Sequence, residues 1–303
     1  HLVSGDRCTV IAPVTAAVAK MPPAGVFRGN TIRISAGDDI SLPDIREKLT
    51  YMGYERKSLI EGKGEYSIRG GIIDIFPPDS ELPYRIELFD TEVDSIRTFD
   101  TISQRSVENL DEIVVYQCSQ LARDRELFRH AAASIKKAYD RNIRKLEKKE
   151  ADENILQNLR QRRDQLAEQA ENMTNVQYLE TLLGYFYDET SYIWDYMDDP
   201  LIFIDDPSRI LESLRLHEKE RADDIDALVS SGRAVGDDFR YLSGQSDYFR
   251  LYEMEGYIFT PFVSTIKNAP FLKELVSVSC RATPAYNGRL NVLKSDLDGY
   301  VRR

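Results

Sequence analysis

The sequence predicts an α/β multidomain chain: strand-and-helix segments too few for a complete α/β unit, a small β-rich α+β segment and a helical hairpin. Three observations carry this. Apolar and polar residues alternate from Glu65 through Phe89, the period of half-buried strands. From Leu121 onward the apolar spacing lengthens to about 3.6 residues, the period of helices with one buried stripe. Strand-then-helix signals flank both regions, but too few to cover the two faces of a parallel sheet.

In chain order, the run Arg7-Cys-Thr-Val-Ile-Ala-Pro-Val-Thr reads as a buried strand. The small residues of Thr15-Ala-Ala-Val-Ala-Lys follow as a helix that Pro22-Pro23 ends. Between Glu65 and Phe76 the side chains of Tyr66, Ile68, Ile73 and Ile75 fall on one face, and Glu65, Ser67, Arg69 and Asp74 on the other. Gly70-Gly71 interrupts the run and marks a kink, bulge or turn. Pro77-Pro-Asp-Ser-Glu-Leu-Pro cannot continue a strand, because proline removes ladder donors and Asp-Ser favours local turn bonds.

A second arm then runs from Tyr84 to Phe89, with Tyr84, Ile86 and Leu88 on one face and Arg85, Glu87 and Phe89 on the other. An aromatic ring thus shares a nominally wet face with an arginine. One interpretation is structural: Arg85 pairs across strands with Glu87 or Glu65, and Phe89 tucks under a helix. The other is an interface anchor, since arginine and aromatic residues concentrate at binding hot spots. Composition alone does not choose between them.

Phe128, Ala132, Ile135, Tyr139, Ile143 and Leu146 define one amphipathic helix, and Ile155, Leu159, Leu166, Ala170 and Met173 a second. The segment 148–153 between them closes an antiparallel hairpin. Arg141, Arg144, Lys145, Lys148, Arg160, Arg162 and Arg163 raise the possibility of DNA contact. Residues 122–172 hold 13 basic and 10 acidic side chains, however, and interspersed acids favour solvated faces and packing. The aromatic strip Tyr178–Tyr196 reads as core, its neighbouring acids being hostile to phosphates. Leu201-Ile-Phe-Ile-Asp-Asp-Pro reads as a short buried strand, with Ser208 capping the next helix. Asp205-Asp206 has no phosphate loop to partner it, so a terminus-and-cap turn is preferred to a magnesium site. A strand from Leu275 and a helix over 290–303 complete the chain.

The segment GEYSIRGGIIDIFPPDSELPYRIELFDTEVDSIRTFD, Gly64 to Asp100, with its lead-in GYERKSLIEGKGEY and the SQRS of Ser103 to Ser106, resembles domain 2 of the bacterial transcription-repair coupling factors. That domain is similar to domain 2 of the excision-repair protein UvrB. The resemblance covers about 70 positions, Leu49 to Tyr116, and implies a surface that docks onto UvrA through Arg69, Arg85 and Phe89. It implies residues 1–48 as the end of domain 1a of a partial NTPase-like α/β unit, 49–117 as domain 2 inserted in that unit, 118–288 as domain 1b with the charged helical hairpin, and 289–303 as the start of a further domain. In the family a separate C-terminal motor uses ATP and magnesium, moves on duplex DNA and displaces stalled RNA polymerase.

The bare sequence fits a non-catalytic, non-membrane role. It contains no G-x-x-x-x-G-K-[ST], so no cofactor is expected in this chain. Neither histidine spacing nor a G-x-S-x-G elbow supports a metal or nucleophile site. Cys8, Cys118 and Cys280 are dispersed, as suits a reducing cytoplasm, and no apolar run is long enough to span a bilayer. The net charge of -11 opposes one broad DNA-binding face, and Glu47–Gln117 holds 15 acidic against 8 basic side chains. On that background Arg69 and Arg85 suit an acidic protein partner. The alternative, a UvrB-type helicase fragment contacting DNA directly, calls for an aromatic β-hairpin ahead of domain 2 and a complete nucleotide motif.

Overall fold

The structure is a computed structural model and describes residues 7–261, 272–278, 286 and 289–301. The chain divides into two compact units, residues 1–267 and 268–303. The architecture is mixed α/β, with a β-rich sheet and separate helical regions.

The alternating segment folds into a six-stranded sheet in sequence order: β2 (Glu55–Arg56), β3 (Glu65–Arg69), β4 (Ile72–Phe76), β5 (Tyr84–Phe89), β6 (Glu92–Phe99) and β7 (Ser106–Leu110). All neighbours are antiparallel except the parallel β2–β3 edge. A further antiparallel pair joins β1 (Thr31–Ser35) to β8 (Glu112–Tyr116). The apolar faces of these strands and of the Leu42–Tyr51 helix form one core that includes Ile32, Ile34, Leu49, Met52, Tyr66, Ile73, Ile75, Ile86, Ile96 and Val115. Each isoleucine buried to this degree contributes on the order of 1.5–3 kcal/mol. The helix begins where the Ser41 hydroxyl accepts from the Asp44 N–H and Pro43 sits in the first turn.

Gly70-Gly71 makes the two-residue turn of the β3–β4 hairpin, with Gly70 at φ +60°. Gly71 lies flat on β5: its carbonyl accepts from the Leu88 N–H at 2.8 Å, and a Cβ there would stand 2.9 Å from the Leu88 oxygen. That contact brings the tip of the β3–β4 hairpin against the end of β5.

The hairpin helices are Arg125–Glu147 and Glu153–Glu171, capped by the carboxylates of Asp124 and Asp152. Phe128, Ala132, Ile135, Tyr139 and Ile143 pack with Leu156, Leu159, Leu166 and Ala170, and Tyr185 and Phe186 complete that core. Tyr139 and Tyr185 donate to the Asp238 carboxylate at 2.7 and 2.6 Å, and burial pushes the Asp238 pKa up. Tyr192 and Trp194 belong to another core with Val18, Ile204, Leu214 and Tyr248. The aromatic strip is therefore packing, not a stacking platform.

Several sequence expectations are corrected. Residues 7–13 take no regular structure, and Ile11 is fully exposed: an apolar run becomes a strand only where a neighbouring edge completes its ladder, and no described strand pairs with it. The strand after Leu201, β9 (Ile202–Asp205), pairs in parallel with β10 (Gly256–Phe259), yet only Ile204 of β9 is buried, because this two-stranded sheet covers one face alone. The Pro207–Ser230 helix is capped by Asp206, at φ 51°, whose carboxylate accepts from the Arg209 N–H at 3.3 Å; Ser208 already lies inside the helix. Residues 272–278 form no strand, and the remainder of that expected strand lies outside the described residues. The last helix spans Leu290–Val301. Among the described residues no helix is long and apolar enough to cross a membrane.

Candidate partner-binding surface

On the sheet face away from the core, the ladder register places Asp74 of β4 between Ser67 of β3 and Arg85 of β5, with Arg97 of β6 next in the row. Asp74 is 1% exposed. A carboxylate buried to that extent is tolerated only when its oxygens are fully engaged. Arg85 supplies a two-pronged contact, Nε to Oδ1 at 2.6 Å and Nη2 to Oδ2 at 2.8 Å, and Arg69 Nη2 adds a third bond to Oδ2 at 2.9 Å. Such charge-assisted forks are the strong class of protein hydrogen bond.

Arg85 is held on its other sides as well. Its guanidinium lies 4.0 Å over the Phe99 ring and donates to Gln104 Oε1 at 2.9 Å. Gln104 is fixed in the left-handed region, φ 58°, and its amide donates to the Thr101 carbonyl, so the 100–105 turn closes over the arginine. The Arg85 side chain keeps only 12% of its exposure, and its hydrogen bonds with Asp74 push its pKa above the ordinary value. The cross-strand acids expected to pair with it are engaged elsewhere: Glu87 takes Arg97, and Glu65 accepts the backbone N–H groups of Glu61 and Gly62.

Arg69 and Phe89 are placed differently. Arg69 ends β3 beside the glycine turn, and its side chain is 47% exposed, with one N–H on Asp74. Phe89 ends β5, immediately before the turn at Asp90 (φ 58°), and is 80% exposed. Strand alternation puts it on the same face as Arg85, about 14 Å further along the strand. The structure thus brings Arg69 and Arg85 onto one carboxylate and leaves Phe89 uncovered at the same sheet end as Arg69. Among the described residues no helix covers the ring. Asp74, Phe99 and Gln104 were not singled out in the sequence; the available signal was that Asp74 is the lone charge in Ile-Ile-Asp-Ile-Phe. Ile102, on the turn that covers Arg85, is a second bare apolar side chain at 93%.

Among the described residues no group of His, Cys, Asp or Glu side chains is placed to hold a metal. Cys118 is half-buried, and burial pushes its thiol up to about 12, which removes it from nucleophilic chemistry near neutral pH.

Residues 32–120 match the family model of the UvrB interaction domain, and the shared core found above begins at Ile32 and ends at Val115. The chain carries that domain. Over its whole length it is 32% identical, across 308 residues, to the transcription-repair-coupling factor of Bacillus subtilis. It is 30% identical over 302 residues, 99% of the chain, to that of Staphylococcus haemolyticus, and 30% identical over 306 residues to that of Staphylococcus aureus (strain Mu50 / ATCC 700699). The chain spans 25% of the length of each of these relatives. It is homologous to that part of the bacterial transcription-repair coupling factors.

Proposed function

We propose that this chain is the N-terminal, UvrB-like region of a transcription-repair coupling factor and that its sheet recruits UvrA to sites of stalled transcription for nucleotide excision repair. In this proposal the larger protein is an ATP-dependent DNA translocase that displaces stalled RNA polymerase, and its ATP and magnesium are bound by motor motifs this sequence lacks. Residues 49–117 are the docking module, domain 2. Residues 1–48 and 118–288 are parts of domains 1a and 1b, and 289–303 open the next domain.

The observation that carries this reading is the bare Phe89 ring at the same sheet end as a half-exposed arginine, on an otherwise acidic module. A large aromatic left open on a sheet face is costly to solubility and typical of a binding anchor. Arg69 retains N–H groups for a partner carboxylate, while Arg85 fixes Asp74 and the strand geometry beneath. The site therefore divides into two contacting residues, Arg69 and Phe89, and one supporting residue, Arg85.

The test is affinity for purified UvrA by titration calorimetry. Phe89→Ala and Arg69→Ala are each expected to weaken binding by about 30-fold, the equivalent of roughly 2 kcal/mol. Undiminished affinity in the combined Arg69→Ala, Arg85→Ala, Phe89→Ala chain refutes the assignment.

A further inference from the structure

The first hairpin helix and the turn that ends it carry a basic stripe. Lys137, Arg141, Arg144, Lys145 and Lys148 recur at helical spacing, and with Lys149 and one acid, Asp140, they line an open groove of about 860 Å³. All six cations are exposed. Asp140 is taken by Arg163 at 2.6 Å, so the groove's one acid is neutralised from the second helix. Arg141 is paired with Asp237 at 2.5 Å. Lys137, Arg144, Lys145, Lys148 and Lys149 have no ion-pair partner among the described residues.

The sequence pattern concealed this. The near-balance of acids and bases across the hairpin suggested mixed charge, but the structure segregates it. Glu147 and Glu153 are held by Arg160, Asp164 by Arg163, and Glu171 by Lys136, leaving surplus positive charge on the first helix. Basic residues in the last turn complement the helix dipole, an effect that fades beyond one turn. Lys137 lies about 15 Å along the axis from the helix end at Glu147, so the dipole does not account for it.

We propose that this stripe is a binding surface for the phosphate backbone of duplex DNA, separate from the sheet surface around Phe89. The groove lining contains no aromatic or aliphatic residue. A protein interface needs such an anchor, single-stranded DNA needs stacking rings, and a membrane surface needs an exposed apolar face. Duplex phosphates need only cations in register. From Lys137 to Lys148 the stripe runs about 16 Å, the axial span of about five phosphates on one strand, and five cations are free. Binding of this kind is sequence-independent and weak enough to be tuned by salt.

Anisotropy of a fluorescein-labelled 30-base-pair duplex with the 303-residue chain tests it. Five phosphate contacts lower the affinity about 500-fold between 50 and 200 mM salt, and Lys145→Gln/Lys148→Gln/Lys149→Gln reduces that dependence to about 12-fold. The corresponding Lys→Arg triple variant keeps the parental slope, and Lys137→Gln/Arg144→Gln lowers it independently at the other end of the stripe. Circular dichroism of each variant confirms that the hairpin remains helical. Absence of salt-dependent duplex binding overturns the proposal, as does a slope unmoved by either set of Gln substitutions. Poly-glutamate bound as tightly as duplex also overturns it, in favour of an acidic protein partner. Phe89→Ala leaves duplex affinity unchanged.

Discussion

Replacing Arg85 with alanine separates its supporting role from direct contact. The change strips Asp74, at 1% exposure, of two of its three charge-assisted hydrogen bonds and leaves only the bond from half-exposed Arg69. It also removes the guanidinium from the Phe99 ring and frees Gln104. Breaking one side of a buried ion pair costs about 3–5 kcal/mol; with Arg69 still in place the lower end applies, about 3 kcal/mol. Tryptophan fluorescence is blind to this event, since Trp194 sits in a different core. Amide hydrogen exchange of β4 and β5 reads it directly: about 3 kcal/mol corresponds to roughly 150-fold faster exchange at the most protected amides. Replacing the pair together, Asp74→Leu with Arg85→Met, recovers most of the protection, because an apolar pair of similar volume needs no compensation. Acceleration below 10-fold in Arg85→Ala, or no recovery in the double variant, refutes the view that Arg85 holds the sheet by satisfying Asp74.

Phe89→Ala leaves the same exchange rates within threefold, since an exposed ring contributes within ~0.5 kcal/mol to stability; under the proposed docking role, weaker affinity for UvrA with an unaltered fold is its expected signature. Gly71→Ala forces a Cβ to 2.9 Å from the Leu88 carbonyl oxygen and costs ~1–3 kcal/mol, visible as faster exchange at the Leu88 N–H before other sheet amides. Asp247 gives an acid-sensitive element in the core that contains Trp194: burial pushes its pKa up, but hydrogen bonds from Lys20, Tyr192 and the Gly244 N–H outweigh this and hold it below 3.8. Its contribution is present above pH 3.8 and fades as pH falls through the lowered folded-state value. An acid titration followed by Trp194 emission detects that loss, and Asp247→Asn flattens it while lowering stability at pH 7.

Local chemistry made the sheet legible. Alternation is enforced by the pleat, so Tyr66, Ile73, Ile75 and Ile86 declare one face without reference to anything distant. The hairpin was legible for the same reason at the helical period. The failures share a different cause: they depended on what lies alongside. Ile11 and its neighbours carry strand composition without a strand to pair with, and the apolar Leu201–Ile204 run acquires one partner and one covered face. A period tells how a segment buries a side, but not whether a second surface arrives to cover the other. Asp206 outcompeted Ser208 as cap because the chain enters the helix through a left-handed residue, a conformation that Asp tolerates, directly before Pro207.

The same distinction explains the candidate site. In sequence, Arg69 and Arg85 are equivalent: each is a basic residue on the outward face of a strand. Register makes them unequal. Asp74 stands directly opposite Arg85 and only diagonally from Arg69, so Arg85 can meet both carboxylate oxygens while Arg69 reaches one. The turn carrying Gln104 then closes over the arginine already committed to Asp74, and the one at the hairpin tip stays in water. Under the proposed docking role, a partner's carboxylate approaching Arg69 meets an arginine whose orientation is already set and whose remaining donors are unspent, which lowers the ordering cost of forming that contact.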